Sequence, residues 1–192
     1  ALADLVKAGK LPPIEQRLPQ NPLVVKPVHE IGKYGGTLRR GFTGPGDRWN
    51  ANRMVTGPDH ILFWDYTGTK VMPCHAAAYD LSADAKTITL TLREGMKWSD
   101  GVPFSADDYI FWFEHIFQNK ELMPSQSPEM SVNGKQGTVK KVDDITVQWV
   151  FPEAYPLFVD ILAGSTALGA GHATRGDELN GSFAPAHYLK KF

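Results

Sequence analysis

Two pairs of adjacent carboxylates, Asp107-Asp108 and Asp143-Asp144, are the first residues in this 192-residue chain that invite a catalytic reading. Glycoside hydrolysis needs two acids converging on one bond, whereas neighbouring side chains on a helix or turn diverge. Capping explains the first pair better: Ser105 is a good N-cap, and Asp107 and Asp108 then fall in a first helical turn, where the helix dipole favours negative charge. Asp143-Asp144 reads as a hairpin turn. For metal, the closest donor pairs are Cys74-His75 and Glu114-His115, with His29, His60, His172 and His187 scattered. No H-x-x-x-H or H-E-x-x-H spacing puts two ligands on one helical face, so no metal or other cofactor is expected. For nucleophilic catalysis, G-x-S-x-G is absent, and the glycine-rich GSTALGAGH (residues 164–172) lacks the Lys-Ser/Thr of a phosphate cradle.

That leaves recognition without chemistry. The loop TGPGDRWN, residues 43–50, follows an expected first strand, and loops at strand ends are where α/β scaffolds present ligand contacts. Trp49 can stack on a sugar ring or an apolar side chain, and Asp47 and Arg48 can supply charged hydrogen bonds. Thr43, Asp47, Arg48 and Trp49 are therefore the expected ligand-binding residues, and no catalytic residue is expected. The bland alternative is that Trp49 covers the core edge while Asp47 and Arg48 form a surface pair. A hydrolase using Glu153, Asp160 or His172 is the second function considered, and a purely structural interaction domain the third. No nucleophile, base and orienter stand at usable spacing for the hydrolase.

The elements that would position such a loop follow from local pattern. The chain is 42% apolar and 21% charged with a net charge of −1, the composition of a globular domain. Basic residues occur at most in doublets, which argues against nucleic-acid binding, and no apolar run approaches the roughly 20 residues of a membrane helix. A lone Cys74 excludes an internal disulfide. ALADLVKAGK predicts a short helix ended by Gly9. The following run, with Pro12, Pro13, Pro19, Pro22 and Pro27, predicts an extended arm, since proline at this density denies helix and central strand.

YGGTLRRGF (34–42) is expected as a first strand, and Ile61–Phe63 and Thr69–Met72 as two short ones. TITLTL alternates with period two and gives the clearest strand, Ile88, Leu90 and Leu92 facing one way. The helix from Ala106 carries an apolar face of Tyr109, Trp112, Phe113, Ile116 and Phe117, with Phe104 and Tyr109 placed as a hydrophobic staple. A hairpin over residues 138–151 puts Ile145, Val147, Trp149 and Phe151 on one face. Pro156 is expected to open a short helix closed at Gly164, and FAPAHYLKKF begins another. The class expected is mixed α/β with much antiparallel pairing.

The run LTLREGMKWSDGVPFSADDYIFWFE resembles the signature region of the family 5 bacterial extracellular solute-binding proteins. The positions that carry it are Leu92, Arg93, Gly95, Lys97, Trp98, Asp100, Gly101, Pro103, Ser105, Ala106 and Asp108. YGGTLRRGF, GTKVMPCHAAAYDLSADAKTITLTLR, VKKVDDITVQWVF and FAPAHYLKKF agree with the family's flanking segments, so the likeness spans nearly the whole chain. Cys74-His75 and Ala78 depart from it, at positions expected to concern packing. The resemblance implies a two-lobed receptor of the type II periplasmic-binding fold. It would close on an oligopeptide or oligosaccharide in the periplasm, or anchored at the cell surface, and deliver it to the permease subunits of an ABC importer as a monomer. It divides the chain into an arm (1–33), the start of lobe I with the cleft-side loop (34–58), and the smaller subdomain of lobe I (59–192). The start without Met and the end at Phe192 suit a fragment that lacks the second lobe. The signature corner is then expected to be scaffold.

Overall fold

The computed structural model describes residues 2–33, 35–39, 41, 43–47, 60–164, 166–169 and 181–192. The chain opens with helix α1 (Leu2–Lys7), and Gly9 follows at φ +69. A single helical turn, α2 (Ile14–Arg17), interrupts the arm, where uniformly extended chain was expected. Pro12 and Pro13 stand before that turn, at positions where a missing N–H costs nothing, and the next four residues are free of proline. The expected strand at 34–42 is the second correction. Gly35 and Gly36 take φ +126 and +81, and no strand forms over the described part of the segment, where Leu38 is 73% exposed. Extended pairing needs negative φ and a partner ladder.

From residue 61 onward, antiparallel pairing dominates. Strands β1 (Leu62–Trp64) and β2 (Val71–Pro73) form a hairpin, shifted by a residue or two from expectation. Its turn is organised by the Asp65 carboxylate, which accepts from the amides of Thr69 and Lys70 and from the Thr67 hydroxyl. The main sheet runs β3-β4-β8-β7, all antiparallel, from β3 (Ala76–Leu81), β4 (Thr87–Leu92), β7 (Thr138–Asp143) and β8 (Thr146–Val150). Ile88 lies opposite Trp149 and Leu90 opposite Val147, and all four are fully buried. Between these halves, β5 (Ser131–Val132) and β6 (Lys135–Gln136) pair across Asn133 (φ 49) and Gly134 (φ 75). Asn-Gly with two positive φ values is a favoured hairpin turn.

Helix α3 (Ala106–Phe111) continues into a wider π-type turn, Trp112–Phe117. Phe111, Trp112 and Phe113 are all buried, so three successive aromatic residues face apolar surroundings. The wider winding lets Phe113 and Phe117 stack, centroids 5.8 Å apart, while Trp112 stays in the core. Tyr109 meets Trp149 edge-on at 5.4 Å, which joins the helix to the sheet. Helix α4 (Phe158–Ala163) begins two residues after Pro156 and ends at Gly164, and Phe158 packs on Trp149 and Phe151. Helix α5 (Ala186–Leu189) lies near the carboxy-terminal end, against the signature corner.

Candidate functional site

The expected ligand loop is partly in view. Pro45–Asp47 form a tight 3-10 turn entered through Gly44 at φ +132. The Asp47 carboxylate turns back on the loop, accepting from the Thr43 amide at 3.0 Å and the Thr43 hydroxyl at 3.4 Å. The Asp47 amide donates to the Gly44 carbonyl at 2.9 Å. Thr43 and Asp47 thus come together, and the same carboxylate that would meet a ligand organises the turn. Arg48 and Trp49 lie outside the described residues.

The signature corner is built in detail. Ser105 caps α3 through its hydroxyl, which accepts from the Asp107 amide, while the Asp108 carboxylate accepts from the Ser105 amide at 3.1 Å. Phe104 and Tyr109 meet at 5.8 Å, as the staple requires. Asp108 does more than cap. Only 3% exposed, its carboxylate also accepts from Trp98 Nε1 at 3.0 Å and from the Ala186 amide at 3.0 Å. Its main-chain carbonyl takes the Ala184 amide. One buried carboxylate therefore joins the corner, the helix start and the carboxy-terminal segment. Burial, with Asp108 beside it, pushes the Tyr109 phenol well above its ordinary pKa.

The other acids are equally committed. Asp107 pairs with Lys141 at 2.9 Å and Asp144 with the same ammonium at 2.7 Å, and the hydrogen bonds the ammonium donates to Asp144 first and Asp107 second raise the Lys141 pKa. The Ala106 amide donates to the Asp144 carbonyl, so the β7–β8 turn seals the start of α3. Asp143 titrates below its usual value because the Thr146 hydroxyl and then the Ile145 amide donate to it. Asp100 is lowered by His187, 2.7 Å away, and then by the Val102 amide.

Glu153, a residue of the hydrolase alternative, is lowered by Lys135 and Asn133. Asp160 is half-buried on α4, and His172 lies outside the described residues. Among the described residues no three His, Cys, Asp or Glu converge on a cation position, and no helix is long and apolar enough to cross a membrane.

Arg93 was named among the signature positions, but its contacts escaped the sequence reading. Arg93 is buried, its Nε donating to the Cys74 carbonyl and an Nη to the Asn21 carbonyl. The available signal was a cation directly after the buried Leu90 and Leu92. Cys74-His75 was expected to concern packing: His75 stacks on Phe183 at 4.8 Å and meets Phe104 at 4.6 Å, with its Nδ1 3.4 Å from the Tyr109 hydroxyl.

The family model for the bacterial extracellular solute-binding proteins, family 5 Middle, matches residues 70–183. The chain belongs to this family. A periplasmic alpha-galactoside-binding protein of Rhizobium meliloti is 36% identical across 79% of this chain and 24% of its own length. A solved oligopeptide-binding protein OppA is similar over 98% of this chain at 38% identity, with a TM-score of 0.77 and 27% of that chain covered. The periplasmic binding protein MelB of Agrobacterium fabrum, in complex with stachyose, is similar over 97% at 26% identity, with a TM-score of 0.67 and 30% of that chain covered. The chain thus spans about a quarter of the length of the relatives it matches. Its mixed α/β architecture with antiparallel sheets is that of these periplasmic binding proteins.

Proposed function

We propose that the chain is the amino-terminal part of a solute-binding receptor serving an ABC importer, and that it captures an oligosaccharide without altering it. The observation that carries this reading is the 36% identity to an alpha-galactoside-binding protein over 79% of the chain. The stachyose-bound relative, alike over nearly all of it, adds support. An oligopeptide is the second reading, favoured by the TM-score of 0.77 to OppA. The receptor works in the periplasm or anchored at the cell surface, as a monomer, and hands its solute to permease subunits. Residues 1–33 form an arm, 34–58 begin lobe I, and 59–192 make its smaller subdomain, with the second lobe outside these residues. Thr43, Asp47, Arg48 and Trp49 contribute one side of the cleft, and closure of the two lobes completes it.

Calorimetric titration of the intact receptor with stachyose and with a mixture of tri- and tetrapeptides tests this. Saturable binding of stachyose with no response to peptides is expected. The reverse outcome selects the peptide reading, and silence with both overturns the receptor assignment.

A further inference from the structure

Among the described residues the arm meets the body through an edge-on contact of His29 with Tyr66 and, by hydrogen bonds, at Gln20 and Asn21. Gln20 donates its amide to the Glu94 carbonyl at 2.9 Å, and Asn21 offers its carbonyl to the Arg93 guanidinium at 2.8 Å. Pro19, Pro22 and Leu23 are half-buried there, whereas every residue from Val24 to Lys33 is exposed. Arg93, 9% exposed, reaches two neutral carbonyls, Asn21 and Cys74. Gly95 sits at φ +80, and a Cβ on it would lie 3.5 Å from the Gln20 nitrogen and 3.7 Å from the Pro19 Cα. The corner thus has a side from which a side chain is missing and the backbone of Pro19 and Gln20 lies close, bending at Gln20 and Asn21.

We propose that Arg93, Glu94 and Gly95 form a docking site for a Pro-x-x-Pro segment that bends between its prolines, occupied in cis by the chain's own Pro19-Gln20-Asn21-Pro22. Both polar contacts are made to the main chain of the arm, one to an N–H and one to the next carbonyl. The residues between the prolines bend and are read through their backbone, and the prolines fix φ on either side of the bend and lower the entropy lost on docking. The buried guanidinium fixes direction: an acceptor must follow the donated amide by one residue. An arm held this way is a strap with a defined anchor, and a free segment of the same backbone pattern competes for the anchor. The site goes beyond the solute reading and stands or falls without it.

The test uses the full 192-residue chain and two readouts, amide exchange over residues 18–25 and anisotropy of a fluorescein-labelled peptide LPQNPLVV. Gln20→Pro deletes the donated N–H, and Gln20→Ala, which keeps it, is the control. Exchange over the segment is expected to rise at least tenfold in Gln20→Pro and to stay within twofold of wild type in Gln20→Ala. Arg93→Met, which does not touch the Gln20 amide, is expected to raise its exchange at least tenfold, with partial rescue by Arg93→Lys. The labelled peptide is expected to bind Gln20→Pro at least tenfold more tightly than wild type, whose own arm competes at high effective concentration. It is expected not to bind Gln20→Pro/Arg93→Met. Equal exchange in Gln20→Pro and Gln20→Ala, or a peptide that binds wild type as well as Gln20→Pro or binds neither, overturns the proposal. Should Arg93→Met fail to fold, the Gln20 pair and the peptide still decide it.

Discussion

Replacing Asp108 by Ala removes the acceptor shared by Trp98 Nε1, the Ser105 amide and the Ala186 amide, at 3.0, 3.1 and 3.0 Å. Asp108 is 3% exposed, so water does not replace its carboxylate at these donors without rearrangement. A hydrogen bond to a charged group contributes about 1.5–3 kcal/mol, and an orphaned buried donor costs about 1–3 kcal/mol. The three bonds share one group and are not additive, so the expected loss is about 3–5 kcal/mol. At about 2–4 °C per kcal/mol for a chain of this size, Tm falls by roughly 6–20 °C. Asp108→Asn keeps the volume and one acceptor but turns an NH2 towards a donor, and about half the loss is expected. Urea unfolding followed by far-ultraviolet circular dichroism and tryptophan fluorescence measures both variants. A loss below about 1 kcal/mol in Asp108→Ala would refute the view of this carboxylate as a three-way junction.

Ser105→Ala is expected to cost about 1 kcal/mol of stability through the lost cap, with no change in which solute the intact receptor binds; a changed ligand profile at unchanged Tm contradicts it. Gly137→Ala places a Cβ 2.5 Å from the Phe151 ring, itself buried, so overpacking should lower the urea midpoint by about 1–3 kcal/mol equivalent. The Asp100 carboxyl is lowered in the folded state, so its contribution is present above the unfolded pKa and fades as pH falls through the folded one. Carboxyl NMR titration should therefore find Asp100 below 3.8 in wild type and higher in His187→Ala, with the Asp100 contribution to docking of the 183–189 segment fading in that acid range. An unchanged titration removes His187 as the cause.

What could be read from the residues alone was what short-range physics decides. Period-two alternation located β4, and Ser105 followed by Asp108 located the start of α3, because both signals are complete within a few residues. Strand β3 escaped because Ala76, Ala77 and Ala78 are poor strand formers, and its extended form comes from pairing with β4, Tyr79 opposite Leu90. Gly35 and Gly36 undid the first strand by taking positive φ, a freedom that apolar alternation does not register. The site divides in the same way. Asp108 was legible as a cap but not as a junction, since Ala186 is 78 residues away, and Arg93 reaches an arm residue 72 positions earlier. Thr43 and Asp47, four residues apart, do meet, although their contact holds the loop itself in shape.

Under the proposed function, the receptor that contains this chain binds and releases its solute unchanged. Equilibrium dialysis of the intact receptor against stachyose, followed by mass analysis of the recovered sugar, tests it most directly. One equivalent bound at saturation and recovered intact is the expected result. Shortened sugar in the dialysate, lost on substitution of a single acidic residue, would contradict it.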